Sequence, residues 1–250
     1  MGMTAVAVTG RPAPRAEPPA DRAGRPAIRL ADVIKVYRES DVETIALRGV
    51  DLEIPKGQFV ALMGRSGSGK STLLHLISGS DRPTAGQVIV DGLDLSRAEE
   101  ADRARLRGSL VGIVFQSQNL VPFLDLEENV ALAAALAGRP VDRAAARVVL
   151  TRVGLGERRT HRPDRLSGGE QQRAALATVA ANHPSVLLGD EITGELDTAT
   201  AASVLDLVSE LHATGSLTIL LATHDPEVAS RAERIVELAD GRVVADRTAR

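Results

Sequence analysis

Two adjacent carboxylates, Asp190 and Glu191, directly follow an apolar run at 186–189 that predicts a buried β-strand. Negative charge at the end of a core strand needs a partner, because a desolvated and unpaired carboxylate is strongly disfavoured. A motif more than a hundred residues upstream indicates which positively charged group these acids face.

That motif is "GRSGSGKS", Gly64 to Ser71, which matches the pattern G-x-x-x-x-G-K-[ST] between a predicted strand and a predicted apolar helix. In this context the backbone N–H groups surround phosphate, the lysine reaches the terminal phosphates and the hydroxyl can hold Mg²⁺. An ordinary glycine-rich turn is the alternative. The expected nucleotide-binding residues are Gly64, Arg65, Ser66, Gly67, Ser68, Gly69, Lys70, Ser71 and Thr72.

A bound nucleoside triphosphate gives each member of the acid pair a role. Asp190 is expected to help Ser71 hold Mg²⁺, as the acid that ends a neighbouring strand does in phosphate-loop folds. Glu191 is then placed to orient a water for attack on the terminal phosphate, which makes it a candidate general base. For Glu191 alone, an acid at a helix start without a catalytic role stays open.

A second helix start lies in "LSGGEQQR", residues 166–173. Ser167 and Glu170 fit a capping box, so an ordinary helix N-terminus is one interpretation. A cap does not need the two adjacent glycines, Gly168 and Gly169. They leave backbone N–H groups free at the positive end of a helix, which predicts a second anion site.

The composition limits the class of protein. With 250 residues and 44% apolar content the chain can bury one sizeable core, and the absence of cysteine excludes disulfide frameworks and thiolate metal sites. A net charge of −3 gives no global reason to expect nucleic acid as a partner. The longest apolar run, at 130–138, is far shorter than the roughly 20 residues of a membrane-spanning helix. Residues 1–27 are predicted to be a disordered tail.

The elements that must position these residues follow from periodicity. From Ile28 onward, short β-branched runs include separate predicted strands at 44–47 and 50–54. Later strands alternate with helices, and the chain closes with a hairpin at 234–246. This alternation predicts an α/β fold with a mostly parallel sheet covered on both faces.

The phosphate loop, "LSGGEQQR", "VLLGDE" and "LATHD", in this order and spacing, resemble the ATP-binding subunit of an ABC transporter from about Ile28 to Val244. The resemblance implies ATP and Mg²⁺ as ligands and an ABC ATP-binding domain at 28–250. That domain would contain an antiparallel β subdomain and a helical subdomain at about 117–183. It also implies a head-to-tail homodimer, in which residues 167–170 of one chain close over the ATP held by the other.

Four further roles come from the same resemblance. Tyr37 matches the aromatic residue that stacks on adenine, Gln116 the loop glutamine that contacts Mg²⁺ and the water, and His224 the residue that contacts the γ-phosphate. Asp197 matches the loop aspartate at the dimer interface. The alternatives are core packing for Tyr37, a structural role for His224 and a helix N-cap for Asp197.

Within the family, the chain looks most like the branch that serves macrolide export, lipoprotein release and cell division. This implies a membrane permease as partner and a peripheral location at the cytoplasmic face of the membrane. The apolar segment "NLVPFL", 119–124, would then contact a cytoplasmic helix of the permease. An ordinary buried loop is the alternative.

Five residues depart from the family pattern: Arg65, Thr178, Gly189, Ile192 and Glu195. Ile192 stands where the branch has proline, next to the candidate base, and a small displacement of a catalytic group can be costly. We therefore expect an intact but slower Mg²⁺-dependent ATPase.

Three functions are compatible with these residues. The first is a transport motor, in which ATP closes the dimer and hydrolysis opens it beneath a permease. The second is a regulatory module of a cell-division-type membrane complex that moves no substrate. The third, an ATPase acting on nucleic acid or ribosomes, is disfavoured by the mild acidity and by the absence of a long coiled-coil insert.

Overall fold

The computed structural model describes residues 25–39, 42–117, 119–139, 142–213 and 217–249. Most of the predicted tail, residues 1–24, lies outside this part of the chain. Ala27 is only 2% exposed, and its backbone N–H donates to the Ile54 carbonyl at 2.8 Å. Ala27, the last residue of the segment predicted as a disordered tail, is therefore packed in the core.

Ten strands and seven α-helices are formed by the described residues. The strands are β1 (Ile28–Glu39), β2 (Val42–Ile54), β3 (Phe59–Met63), β4 (Ala85–Val90), β5 (Leu93–Asp94), β6 (Val111–Val114), β7 (Val186–Asp190), β8 (Thr218–Thr223), β9 (Arg234–Ala239) and β10 (Arg242–Thr248). The helices are α1 (Lys70–Ile77), α2 (Glu100–Ser109), α3 (Leu126–Leu136), α4 (Arg143–Arg152), α5 (Gly168–Ala181), α6 (Thr198–Ala213) and α7 (Pro226–Arg231). Short 3-10 helices span Gly156–Arg158 and Pro163–Arg165.

The larger sheet has six strands in the order β10-β9-β3-β8-β7-β6. Neighbouring strands run parallel except at one edge, where β10 pairs antiparallel with β9. The two residues of that hairpin turn, Asp240 and Gly241, have φ of 48° and 73°, as a type I′ turn requires. The sheet confirms the predicted α/β fold with a mostly parallel core.

The parallel order brings four distant segments to one edge of this sheet. The phosphate-loop motif follows β3, Gln116 lies just beyond β6, Asp190 ends β7 and His224 follows β8. Carboxyl ends of neighbouring parallel strands point the same way, and ligands of open α/β sheets bind at this edge. The strand order therefore places the predicted nucleotide-binding and catalytic segments together.

The smaller sheet is antiparallel, in the order β2-β1-β4-β5. The two separate strands predicted at 44–47 and 50–54 are one continuous strand, β2. Gly49 has a φ of 76°, and the pairing with β1 shifts register beside it, from Val33–Val50 to Ile34–Arg48. This β-bulge lies at the break between the two predicted strands, and β2 continues through it.

Helix α1 packs between the two sheets. Leu73, Leu76 and Ile77 are fully buried and share one apolar cluster with Val88 of the smaller sheet and Leu188 of the larger one. Burial of three such side chains contributes about 1.5–3 kcal/mol each relative to exposure. The helix that begins at the end of the phosphate loop is thus anchored on both faces.

The opposite face of the larger sheet is covered by helices. A second apolar cluster includes Leu126 of α3, Leu150 of α4, Leu176 of α5 and Val204 of α6, together with Leu187 of β7. Helices α3, α4 and α5 fall within the region predicted as a helical subdomain. Among the described residues, no helix combines the length and apolar character needed to cross a membrane.

Candidate functional site

The phosphate-loop motif forms a tight turn between β3 and α1. Gly67 and Gly69 have φ of 77° and 107°, and Gly69 is the N-cap of α1. A Cβ atom on Gly69 would lie 2.7 Å from the Ala46 carbonyl oxygen, so a larger residue would collide with the β2 backbone. Glycine is therefore required here both by φ and by the close approach of the smaller sheet.

Lys70 is folded into this turn and is only 5% exposed. Its ammonium donates to the carbonyl oxygens of Gly64 at 2.8 Å and Arg65 at 3.2 Å, whereas the Arg65 side chain is exposed. Ser68 Oγ is also buried and has no hydrogen-bond partner within the described part of the chain. A buried lysine held by neutral carbonyls and an unpaired hydroxyl suit a site that receives anionic oxygens.

A cavity of about 620 Å³ opens against the phosphate loop. Its walls include residues 64–68 of the loop, His224 after β8, and residues 237–240 at the β9–β10 turn. This places His224, which the sequence separates from the loop by more than 150 residues, at the same cavity as the loop.

Glu191 directly follows β7 in an uncommon backbone conformation, with a φ of 48°. Its backbone N–H donates to the Ala222 carbonyl at 2.9 Å, which ties the turn to β8. Its Oε1 atom lies 3.1 Å from His224 Nδ1. A positive φ is uncommon for a residue other than glycine. The fold thus brings into contact Glu191 and His224, which the sequence predicted as two separate site residues.

Gln116 is held through both its backbone and its side chain. Its carbonyl accepts a hydrogen bond from the side-chain amide of Gln172 at 2.5 Å, and the same amide donates to the Phe115 carbonyl at 3.0 Å. The Gln116 side chain donates to Glu195 Oε1 at 3.2 Å. Glu195, one of the five departures from the family pattern, thus contacts an expected Mg²⁺ ligand.

Gln172 makes structural contacts that the sequence did not predict. It is 5% exposed and belongs to α5, the helix that begins with the "SGGE" segment, so it fastens that helix to the loop that carries Gln116. The signal in the sequence was a polar residue on the buried face of a predicted helix.

Tyr37 lies in β1 near α1. Its hydroxyl donates to Asp81 Oδ2 at 3.1 Å, and Lys35 Nζ lies 4.7 Å from its ring centroid. Burial raises the pKa of the Tyr37 phenol; a hydrogen bond with Thr72 opposes the increase and Asp81 adds to it. The contact with Thr72 places the tyrosine beside the last residue of the predicted nucleotide-binding set.

The start of α5 is a capping box. Ser167 Oγ accepts from the Glu170 backbone N–H at 3.3 Å, and Glu170 Oε2 accepts from the Ser167 N–H at 2.9 Å, which lowers the pKa of Glu170. Ser167 and Gly168 are exposed, and Gly169 is buried with a would-be Cβ only 2.0 Å from Thr200 Cγ2. Gly169 is therefore required for packing against α6, a reason that the sequence did not indicate.

Asp197 caps helix α6, as the alternative interpretation predicted. Its carboxylate accepts from the Thr200 backbone N–H at 3.1 Å and from the Thr200 hydroxyl at 2.6 Å. The hydroxyl and then the backbone N–H hold the pKa of Asp197 below its usual value. Asp197 is exposed, so capping leaves the residue at the surface.

Two departures from the family pattern, Gly189 and Ile192, lie side by side. A Cβ atom on Gly189 would lie 2.5 Å from Leu221 Cδ2 and 3.0 Å from Ile192 Cγ2, and Ile192 is only 3% exposed. The Ile192 side chain thus occupies part of the space that a side chain at position 189 would need. Thr178 makes a local hydrogen bond to the Ala175 carbonyl at 2.7 Å.

The chain is similar to known ATP-binding proteins over most of its length. A family model described as ABC transporter matches residues 47–194. A macrolide export ATP-binding/permease protein of Hyphomonas neptunium is 44% identical over 223 residues, which are 88% of this chain and 34% of that protein. An uncharacterized ABC transporter ATP-binding protein of Thermotoga maritima is 44% identical over 218 residues, 86% of this chain and 93% of that protein.

These relatives confirm the resemblance to the macrolide-export branch, although the chain spans about a third of the length of the ATP-binding/permease proteins. A solved ATP-binding cassette, a dimer in a post-hydrolysis state bound to ADP and phosphate, matches with a TM-score of 0.84 at 36% identity. That match covers 89% of this chain and 99% of the solved one. Fold, motifs and relatives agree, and the chain belongs to the ABC transporter family of ATP-binding domains.

Proposed function

We propose that this chain is a Mg²⁺-dependent ATPase that powers an exporter of the macrolide-export or lipoprotein-release type. The observation that carries the proposal is the contact between Glu191 and His224 at the sheet edge that also carries the phosphate loop. Glu191 is the general base that orients water, and His224 contacts the γ-phosphate. Lys70 leaves the Gly64 and Arg65 carbonyls to bind the terminal phosphates.

The metal would be held by Ser71, Asp190 and Gln116. A hydroxyl, a carboxylate and an amide are oxygen donors of the kind that Mg²⁺ prefers. No group of three or more histidines and acids within the described residues could hold a metal alone. Asp190 supplies the single carboxylate of the three donors, which fits Mg²⁺, because that ion usually takes one or two carboxylates together with nucleotide oxygens. Bound there, it would neutralise charge that develops on the phosphate oxygens.

In this proposal, a second copy of the chain supplies the other half of each ATP site. The cavity at the phosphate loop has no lining residue from 167–170 among the described residues, whereas Ser167 and Gly168 are exposed at a helix N-terminus. A head-to-tail homodimer, with Asp197 near the interface, would bring this anion site to the partner's ATP. The dimeric state of the solved cassettes supports the homodimer in this proposal.

The membrane permease would dock beside the loop that carries Gln116. Phe123 in the "NLVPFL" segment is 69% exposed, which is contrary to the buried-loop alternative. Leu132 and Leu136, one turn apart on α3, are 38% and 72% exposed, and Leu136 lines a groove between α2 and α3. We propose that a cytoplasmic helix of the permease covers this apolar surface and holds the ATPase at the membrane.

The experiment that tests the ATPase uses Glu191→Gln, Lys70→Ala and the exposed control Glu210→Gln. Loss of a general base should lower kcat roughly 10²- to 10⁴-fold while ATP still binds, so that an ATP-stabilised dimer accumulates in light scattering. Lys70→Ala should weaken nucleotide binding itself. Normal hydrolysis by Glu191→Gln would contradict the assignment of the base.

Two finer points need separate measurements. We propose that Ile192 slows turnover, and Ile192→Pro should then hydrolyse ATP faster than the natural chain; equal rates would contradict this.

Export of a substrate by reconstituted permease and ATPase would support the transport motor. ATP-dependent dimerisation with no export would instead favour the regulatory module of a cell-division-type complex.

A further inference from the structure

Lys35, Tyr37 and Asp81 form a polar cluster between the smaller sheet and the end of α1. Lys35 is 9% exposed, and its ammonium donates to Asp81 Oδ1 at 2.7 Å and to the Arg82 carbonyl at 2.9 Å. A nearly buried ammonium is tolerated only when it is paired and hydrogen-bonded. We name the Lys35–Asp81 ion pair the clamp.

The clamp holds the Tyr37 ring at two points. Asp81 accepts the Tyr37 hydroxyl through Oδ2 at 3.1 Å, while its Oδ1 accepts from Lys35. The Lys35 ammonium lies 4.7 Å from the ring centroid, a cation–π contact. One face of the ring is thus covered by the ammonium, and a flat ligand can stack only on the opposite face.

The clamp also connects this ring to the phosphate loop. Asp81 follows α1 closely, and its backbone N–H donates to the His75 carbonyl at 3.2 Å. Helix α1 begins at Lys70, at the end of the loop, and is buried between the sheets. The distance from the ring to the phosphate loop is therefore set by a rigid helix, because Asp81 links the two.

We propose that Lys35 and Asp81 are positioning residues for the nucleotide base: they fix the Tyr37 ring, and the single face that it offers, at a set distance from the phosphate loop. This inference rests on the proposed role of Tyr37 at adenine. We expect the clamp to contribute to the part of the ATP affinity that depends on the base, and not to the part that depends on the phosphates.

The test compares ATP with tripolyphosphate, which has no base, by calorimetric titration of the full chain. Lys35→Met, which removes the cation–π contact, should weaken ATP binding about 3- to 10-fold and leave tripolyphosphate binding unchanged. Asp81→Asn, which removes the charged acceptor of Lys35 and of the Tyr37 hydroxyl, should change the two affinities in the same pattern. Arg38→Gln is the matched control, since Arg38 lies on the same strand as Lys35 and Tyr37 and the substitution breaks only an exposed ion pair with Glu43 of β2. The control should change neither affinity.

A spectroscopic measurement reports on the ring itself. Tyr37 is the only tyrosine in a chain without tryptophan, so phenolate absorbance follows this residue alone. Asp81 contributes to the raised pKa of the phenol, hence Asp81→Asn should lower that pKa. An unchanged phenol titration in Asp81→Asn would overturn the proposed anchoring of the ring.

Tyr37→Ala distinguishes failure of the clamp from failure of the adenine role of Tyr37. If Tyr37→Ala weakens ATP binding but the clamp variants bind ATP normally, the clamp is wrong and the role of Tyr37 stands. If Tyr37→Ala binds ATP normally, the adenine role fails and the clamp fails with it. Equal losses for ATP and tripolyphosphate in the clamp variants would show a general structural effect and overturn the proposal.

Discussion

Gly189→Ala probes how the strand that ends at the acid pair is packed. Gly189 pairs with Leu221 across the parallel strands β7 and β8, and the added methyl group would lie 2.5 Å from Leu221 Cδ2. Ordinary contact needs about 3.5–4.0 Å, so the leucine methyl has to move by roughly 1 Å. Ile192 Cγ2, at 3.0 Å, limits the movement of the alanine itself.

The expected magnitude follows from overpacking a core. An extra methyl group in a well-packed interior costs typically about 1–3 kcal/mol of unfolding free energy. For a chain of this size each kcal/mol corresponds to about 2–4 °C in Tm. Because Ile192 adjoins Glu191, the same variant should also lower the kcat for ATP hydrolysis.

A double-mutant cycle in urea unfolding tests this reasoning. Leu221→Val removes Cδ2, the terminal methyl group that collides, so Gly189→Ala should be less destabilising in the Leu221→Val background than in the natural chain, by about 1 kcal/mol or more. Gly168→Ala is the stability control, because its methyl group would make only an ordinary contact with Leu196 at 3.4 Å. Additive effects, or a Gly189→Ala chain as stable as the natural one, would refute the packing argument.

Three further predictions concern other contacts. Gln172→Leu should lower ATPase activity and destabilise the chain by about 1–3 kcal/mol, measured by urea unfolding, because the Gln116 loop loses its buried hydrogen bonds. Asp125→Ala, which breaks the capping box of α3, should cost about 0.5–2 kcal/mol in the same assay. The Arg234 guanidinium holds the pKa of Asp246 below its usual value, so this pair stabilises the fold above the pKa of an unfolded aspartate, near pH 4, and the contribution is lost as pH falls through the lower folded pKa. In Asp246→Asn the difference from the natural chain in unfolding free energy should therefore shrink on acidification, and a constant difference would contradict the linkage.

Predictions from local pattern agree with the structure where the contacts are short in sequence. The phosphate-loop motif lies between a strand and a helix, Ser167 and Glu170 form the capping box, and Asp240-Gly241 closes the final hairpin. Each of these depends on residues within a few positions of one another. The break predicted inside β2 was wrong because a bulge at Gly49 keeps the strand paired, and pairing is decided by the neighbouring strand.

The amino-acid sequence by itself determined the class of fold, the two helix starts that we propose to bind anions and the residues with catalytic potential, since these depend on periodicity, backbone freedom and side-chain chemistry. Only the tertiary structure decided which of them meet. Glu191 contacts His224 across 33 residues, Lys35 reaches Asp81 across 46 and Gln172 holds Gln116 across 56. Such contacts depend on the order of strands in the sheets and on how closely buried surfaces approach, as at Gly169 and Gly189, and no local pattern specifies either.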